Sequence, residues 1–372
     1  MRHKYVLHEF LKHTHKGGDD MIRLDPKLLS CEASYFYRAL QERVIGQDRA
    51  IRTMVRTLQQ WRAGFSAPGK PVANLLLLGP TGVGKTHLPE AVAEILFDDP
   101  RMMIKVDCAE YQRDHEISKL IGSPPGYVGR EIEPVISNKK IEECHMPGVN
   151  LSLIVFDEIE KASSSLWQLL LGILDKAVLN LGDNTQVDLS QSIIFLTSNL
   201  ASREIESLAK GGLGFGGGVP KAGGDADKKI YRTALSAASR NFSPEFMNRL
   251  DRVIVFHSLK HEHLEQILKI EINNVRNRIM KQAEINFKPF TFECTPAALA
   301  FLLREGTESR YGARPLKRAI ERHLTNPLAS LVATNQIEMA DKVLVGYDEK
   351  EGLVFTKEKQ TPMKLMTFHE RL

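Results

Sequence analysis

The sequence has little of what would place it in an oxidising compartment or a membrane. It carries four cysteines in 372 residues. Cys31, Cys108, Cys144 and Cys294 lie far apart and form no CxxC pair. That pattern suits reduced thiols better than a disulfide framework, so a cytoplasmic location is expected. Cys144-His145 is an adjacent pair of possible ligands, without the second pair that a tetrahedral metal site needs. No apolar run approaches the roughly 20 residues that span a bilayer. Residues 1–20 hold histidines and charges where a secretory signal would hold an apolar core. No charge sign dominates either. The formal net charge of +4 is spread along the chain, and no helix-turn-helix or zinc finger directs it onto nucleic acid.

What is present suffices for two or three packed units, with 42% hydrophobic and 26% charged residues. Residues 1–30 show no sustained periodicity and read as an extension. From Cys31 to Trp61 apolar positions recur at helical spacing, interrupted at Val44-Ile45-Gly46-Gln47. Strand-like runs at Val72–Leu78, Met102–Val106, Leu151–Phe156, Ser192–Leu196 and Val253–Phe256 alternate with helical patterns. Such alternation predicts an α/β domain over 31–257, a parallel sheet flanked by helices. Eight glycines between Leu208 and Lys229 predict a mobile loop over 208–229, too poor in side chains to offset its ordering entropy. Beyond Phe256 the pattern turns helical. Leu264, Leu268, Ile272, Val275 and Ile279 share one helix face. Val343–Tyr347 and Leu353–Thr356 flank a charged turn and predict a hairpin. A smaller, mostly helical domain with a terminal β-hairpin is therefore expected over 258–372.

Gly79-Pro80-Thr81-Gly82-Val83-Gly84-Lys85-Thr86 fits GxxxxGK[ST] directly after an apolar run. Its glycines let backbone N–H groups wrap phosphates, and the following helix adds its positive end. Lys85 would meet the terminal phosphates and Thr86 would offer a hydroxyl to Mg²⁺. The competing reading, a chance glycine turn, is disfavoured by strand, loop and helix together. Pro89 falls early in that helix, where a proline in an interior position costs about 3 kcal/mol. An irregular first turn or compensating packing is thus expected. The run Leu151–Phe156 ends in Asp157-Glu158, a Mg²⁺-organising carboxylate followed by a water-orienting one. Alone, such a pair is usually a solvated strand end. The next apolar run ends in Thr197-Ser198-Asn199, whose amide is suited to hold water beside Glu158. As a lone residue Asn199 would be a turn former.

These stretches occur in one order with Val44-Ile45-Gly46-Gln47, Gly122-Ser123-Pro124-Pro125-Gly126-Tyr127-Val128-Gly129, Pro244-Glu245-Phe246-Met247-Asn248-Arg249-Leu250-Asp251 and Tyr311-Gly312-Ala313-Arg314-Pro315-Leu316-Lys317-Arg318. The series resembles the Clp family of AAA+ protein unfoldases, in particular its second ATPase module, over residues 34 to 347. The resemblance implies an AAA+ P-loop fold, ATP with Mg²⁺ as cofactors, and a homo-oligomeric ring, a hexamer, that threads unfolded or tagged proteins through its pore. It places Val44 and Ile45 at the adenine and Thr81, Gly82, Val83, Gly84, Lys85 and Thr86 around the phosphates. Thr86 and Asp157 would serve Mg²⁺; Asp157, Glu158 and Asn199 would serve hydrolysis. Arg249 would be the arginine finger reaching a neighbouring subunit's nucleotide, and Arg314 the sensor of the γ-phosphate. A planar, permanently charged guanidinium suits that work, although either arginine alone would read as a surface or salt-bridged residue.

By the same resemblance Tyr127 and Val128, between Gly126 and Gly129, would line the pore and grip substrate. An amphipathic ring contacts peptide of any sequence; the alternative is a tyrosine tucked into the core. Leu213-Gly214-Phe215 stands where some family members carry a tripeptide that docks a ClpP-type peptidase. A solvent loop folded back on the surface is the other reading. Residues 131–149 and Leu181-Gly182-Asp183-Asn184 depart from the family pattern, so the resemblance does not define the second pore loop. It includes no first ATPase module, and a stand-alone single ring is expected. Two other classes share such a site: a DNA-associated AAA+ ATPase, which would add a basic DNA-binding module, and a nucleotide-binding scaffold ring, which would not need the full set of Lys85, Asp157, Glu158, Arg249 and Arg314.

Overall fold

Six consecutive buried residues, Ala73–Leu78, form the strand β1 on which the rest of the sheet is assembled. The computed structural model describes residues 25–26, 28–122, 133–202, 204–205, 224–282, 289–307 and 312–357. Among these the remaining strands are β2 (Ile104–Asp107), β3 (Ser152–Asp157), β4 (Val178–Asn180), β5 (Gln186–Asp188), β6 (Ser192–Ser198), β7 (Arg252–Val255), β8 (Thr291–Cys294), β9 (Lys342–Asp348) and β10 (Gly352–Lys357). The central sheet runs β2-β3-β6-β1-β7 with every neighbour parallel.

Parallel sheets are covered on both faces, which is why these strands are near-continuous apolar runs. Alternate residues feed two cores. Leu76, Leu78, Ile154, Phe156, Ile194 and Leu196 point into one; Leu75, Leu77, Leu153, Val155, Ile193 and Phe195 point into the other. Helices α1 (Cys31–Arg43), α2 (Asp48–Arg62) and α3 (His87–Phe97) cover the second core with Phe36, Leu40, Ile51, Met54, Leu88 and Val92. On the other face, past the short α4 (Ile117–Ile121) and α5 (Asn138–Glu143), lie α6 (Ser164–Lys176) and α7 (Gly224–Asn241), which supply Leu166, Leu170, Ile173, Ala234 and Ala238. Serine caps set the starts of α1 and α6: Ser30 Oγ accepts from Ala33 N–H at 3.1 Å and Ser163 Oγ from Leu166 N–H at 3.4 Å.

After β7, α9 (His261–Gln282) follows the short α8 (Pro244–Met247) in helix order. Then come α10 (Pro296–Glu305), α11 (Arg314–Ile320), a π-helical turn over Glu321–Thr325, and α12 (Asn326–Ala333). Leu264, Leu268, Ile272 and Val275 of α9 enter a third core with Leu302, Leu316 and Leu324.

Three details differ from the sequence expectation, and a fourth is filled in by the structure. Residues 224–229, expected in the glycine-rich loop, belong to α7, where Asp225 to Lys229 continue into a helix-forming stretch. Pro89 is third in α3, inside the first turn, where N–H groups lack intrahelical acceptors, so its missing donor costs little. The C-terminal hairpin β9/β10 has a third strand, β8, parallel to β9; four residues are too few to show a period. Leu181–Asn184 lies in the turn of an antiparallel hairpin, β4/β5, whose strands have three residues each.

Candidate nucleotide-binding cleft

Parallel strands end at a common edge, so the residues at and just past the ends of β1, β3 and β6 meet there. The loop 79–86, the pair Asp157-Glu158 and Asn199 are brought together in this way, around a cleft of about 600 Å³. Lys85 is almost fully buried. Its Nζ donates to the carbonyl oxygens of Gly79 and Pro80, both at 2.7 Å, and to Asn199 Oδ1 at 2.8 Å. Burial lowers its pKa to about 8; Glu160 and then Asp157 oppose that shift, while Arg314 adds to it.

Thr86 Oγ1 donates to Asp157 Oδ1 at 3.2 Å. Asp157 also accepts from Thr197 Oγ1 and pairs with Lys105 Nζ at 3.4 Å. The Glu158 N–H donates to Thr197 Oγ1 at 3.0 Å, so one hydroxyl sets the positions of both acids. Glu158 itself is left-handed, at φ 56° and ψ 50°, a sparsely populated conformation for a non-glycine residue. Its carboxylate accepts from Asn199 Nδ2 at 3.2 Å and from Lys161 Nζ. A hydroxyl and a carboxylate facing each other are hard oxygen donors, a set that fits Mg²⁺ and its retained waters.

Val44 and Ile45 line the cleft with Leu259, Ile267 and Ile270, an apolar wall suited to a planar base. Gln47 holds that wall: its Nε2 donates to the carbonyls of Val83 and His257, and its Oε1 accepts the His257 N–H at 3.0 Å. Gly46 next to it has φ +74°, and a Cβ there would stand 2.5 Å from His263 Nδ1. Arg314 reaches the cleft from α11, which is tied to the loop where Ala313 N–H donates to the Gly82 carbonyl.

Arg249 is not among the residues lining the cleft. Its Nη2 donates to Glu245 Oε1 at 2.9 Å and stands 4.0 Å from Asp175. Asn74 of β1 fixes the backbone here, donating from Nδ2 to the Arg249 carbonyl at 3.0 Å and from its N–H to Asp251 Oδ2 at 2.7 Å. Phe246 of α8 is buried edge-on against Trp167, ring centroids 4.7 Å apart. Tyr127 and Val128, and the tripeptide Leu213-Gly214-Phe215, lie outside the described residues.

Four groups of the site were not singled out from the sequence: Thr197, which lines the cleft as the shared anchor, and Glu160, Lys105 and Lys161, which contact its lining residues Asn199, Asp157 and Glu158. A run such as Asp157-Glu158-Ile159-Glu160-Lys161 reads as a solvated strand end. Only the tight turn after β3 sends Glu160 inward, where its Oε1 accepts the Asn199 N–H at 3.1 Å.

The family model for an AAA domain of the Cdc48 subfamily matches residues 70–253, and that for the C-terminal D2-small domain of ClpB protein matches residues 259–345. Chaperone protein ClpB of Leptolyngbya boryana is 37% identical over 330 residues, 88% of this chain and 34% of its own length. The ATP-dependent Clp protease ATP-binding subunit ClpC of Staphylococcus aureus strain USA300 is 38% identical over 326 residues, 87% of this chain and 37% of its own length. The chain thus spans about a third of the length of these curated relatives. A cryo-EM reconstruction of Hsp104 in a closed state, with ATPγS and FITC casein, is 28% identical with a TM-score of 0.71, covering 89% of this chain and 53% of that one.

Proposed function

Because the chain belongs to the Clp family of AAA+ ATPases, we propose that it hydrolyses ATP and uses the cycle to remodel protein chains. The observation that carries this reading is the convergence of Lys85, Thr86, Asp157, Glu158, Asn199 and Arg314 on one cleft. In this reading the base rests on Val44 and Ile45, and the loop 81–86 holds the phosphates. Thr86 and Asp157 would hold Mg²⁺, which supplies charge neutralisation on the phosphates when bound. Glu158 accepts the proton of the attacking water, and Asn199, hydrogen-bonded to both Lys85 and Glu158, keeps that water in line. Arg314 meets the γ-phosphate. Arg249, turned away from its own cleft, serves the nucleotide of a neighbour in a hexameric ring.

The wider work is proposed on the same basis. Residues 31–257 form the ATPase domain and 258–372 a smaller domain. Unfolded or tagged proteins are the substrates, gripped by Tyr127 and Val128, in the cytoplasm. Leu213-Gly214-Phe215 is the candidate contact for a ClpP-type peptidase, with a plain solvent loop as its alternative. ATP turnover measured with and without an unfolded model protein tests the reading. Glu158→Gln should bind ATP and turn it over at least about 100-fold more slowly, whereas Lys85→Ala should lose binding. Turnover by Glu158→Gln at the wild-type rate would remove the catalytic assignment.

A further inference from the structure

Glu160 stands behind the cleft lining, bonded to Asn199, and the proposed mechanism gives it no work. It sits in the single turn Ile159–Lys161. The turn is closed by Lys161 N–H donating to the Glu158 carbonyl at 2.9 Å and Ala162 N–H to that of Ile159 at 3.1 Å. Ile159 is fully buried in the core beneath the sheet edge. With that side chain pinned, the turn sends Lys161 out to Glu158 and Glu160 in toward β6.

Asn199 lies one residue past the end of β6. The ladder with β1 ends at Ser198 and that with β3 at Leu196, so no strand partner takes its N–H. Glu160 Oε1 does, at 3.1 Å. On the other side the Asn199 carbonyl accepts from the N–H of Ser202 at 3.2 Å and from its hydroxyl. The backbone of Asn199 is therefore held at both ends. Its side chain then has one productive orientation, Oδ1 toward the Lys85 ammonium and Nδ2 toward the Glu158 carboxylate. The flipped amide would set a donor against an ammonium and an acceptor against a carboxylate. The second oxygen of Glu160 is buried and has no hydrogen-bond partner among the described residues. Keeping an acceptor there at that cost points to a job for the first oxygen.

We propose that Glu160 is a positioning residue for ATP hydrolysis, holding the Asn199 backbone so that its amide spans Lys85 and Glu158. This rests on the ATPase reading of the cleft. Glu160 need not touch nucleotide, and its removal acts through Asn199. An unpartnered N–H at the end of β6 would turn toward water, moving the amide that faces the attacking water. A displacement near 1 Å at such a position is worth up to about 100-fold in rate.

The experiment uses the full chain with Glu160→Ala and Glu160→Gln. It measures kcat and KM for ATP, the dissociation constant of a fluorescent ADP, and hydrogen exchange of the Asn199 amide in nucleotide-free protein. Glu160→Ala should lower kcat by about 10- to 100-fold while ADP affinity stays within about threefold. Its Asn199 amide should exchange at least about tenfold faster, with neighbouring β6 amides still protected. Glu160→Gln keeps a carbonyl acceptor and should restore both kcat and protection to within about threefold of wild type. The inference is overturned by unchanged kcat and exchange in Glu160→Ala, or by loss of protection along the whole of β6, which marks a structural residue. It is also overturned if Glu160→Gln protects Asn199 yet turns over no faster than Glu160→Ala, because charge and not position would then be what matters. Absence of turnover in the wild type removes the ATPase reading itself, and this inference with it.

Discussion

The backbone N–H of Ala313 donates to the carbonyl oxygen of Gly82 at 2.9 Å, joining the start of α11 directly to the phosphate loop. Gly312 makes that approach possible. A Cβ at 312 would stand 2.4 Å from the Gly82 oxygen, and its φ of +58° is itself left-handed. The atoms it would meet, from Gly82 and Thr81, are all backbone, so no rotamer relieves the clash.

Gly312→Ala should therefore pry α11 and Arg314 from the loop while leaving the sheet intact. Strain of about 1–3 kcal/mol at such a position corresponds to a loss in nucleotide affinity of about tenfold or more. Titration with a fluorescent nucleotide, alongside far-UV circular dichroism, checks it. Unaltered affinity would show that the contact is incidental.

Lys85 gives a pH dependence to the nucleotide-free fold. Its folded pKa, held by burial at about 8, lies below the ordinary value of 10.5. Between those two values the unfolded chain binds the extra proton, so stability rises with pH across that window. Below pH 8 both states are protonated, and burying the ammonium costs the fold on the order of 3 kcal/mol. Lys85→Met abolishes the dependence. The melting temperature of wild type relative to Lys85→Met should thus rise from pH 8 to pH 10; a flat difference would show that Lys85 is not titrating there. ATP affinity should fall over the same interval as the ammonium loses its proton.

Arg249→Ala alone should keep less than about a tenth of wild-type ATPase, because every interface lacks the proposed finger. Mixed with Lys85→Ala it should recover part of that turnover, since some interfaces then pair an intact cleft with an intact arginine. Proven mixed rings without recovery would assign Arg249 to its own subunit, paired with Glu245.

Tyr127→Ala should retain basal ATPase within about twofold and lose unfolding of a tagged fluorescent protein. Unchanged unfolding would mean that the ring does not pull through this loop.

The sequence by itself determined the kind of molecule. A phosphate loop after an apolar run, and the apolar strands Leu151–Phe156 and Ser192–Leu196 with their polar ends, are local patterns. Strand period and helix face follow from the few residues on either side. What it did not carry are the relations that join distant segments. The order β2-β3-β6-β1-β7, the strand β8 beside β9 and the hydrogen bond from Ala313 to Gly82 depend on contacts across long stretches of chain, which no local period encodes. The same holds within the cleft. Glu158, Glu160 and Lys161 look alike as charges in a row, and only the left-handed turn at Glu158, with Ile159 pinned in the core, decides which of them faces Asn199 and which faces outward. Side-chain direction at a strand end is set by packing beneath it, and that packing exists only in the folded chain.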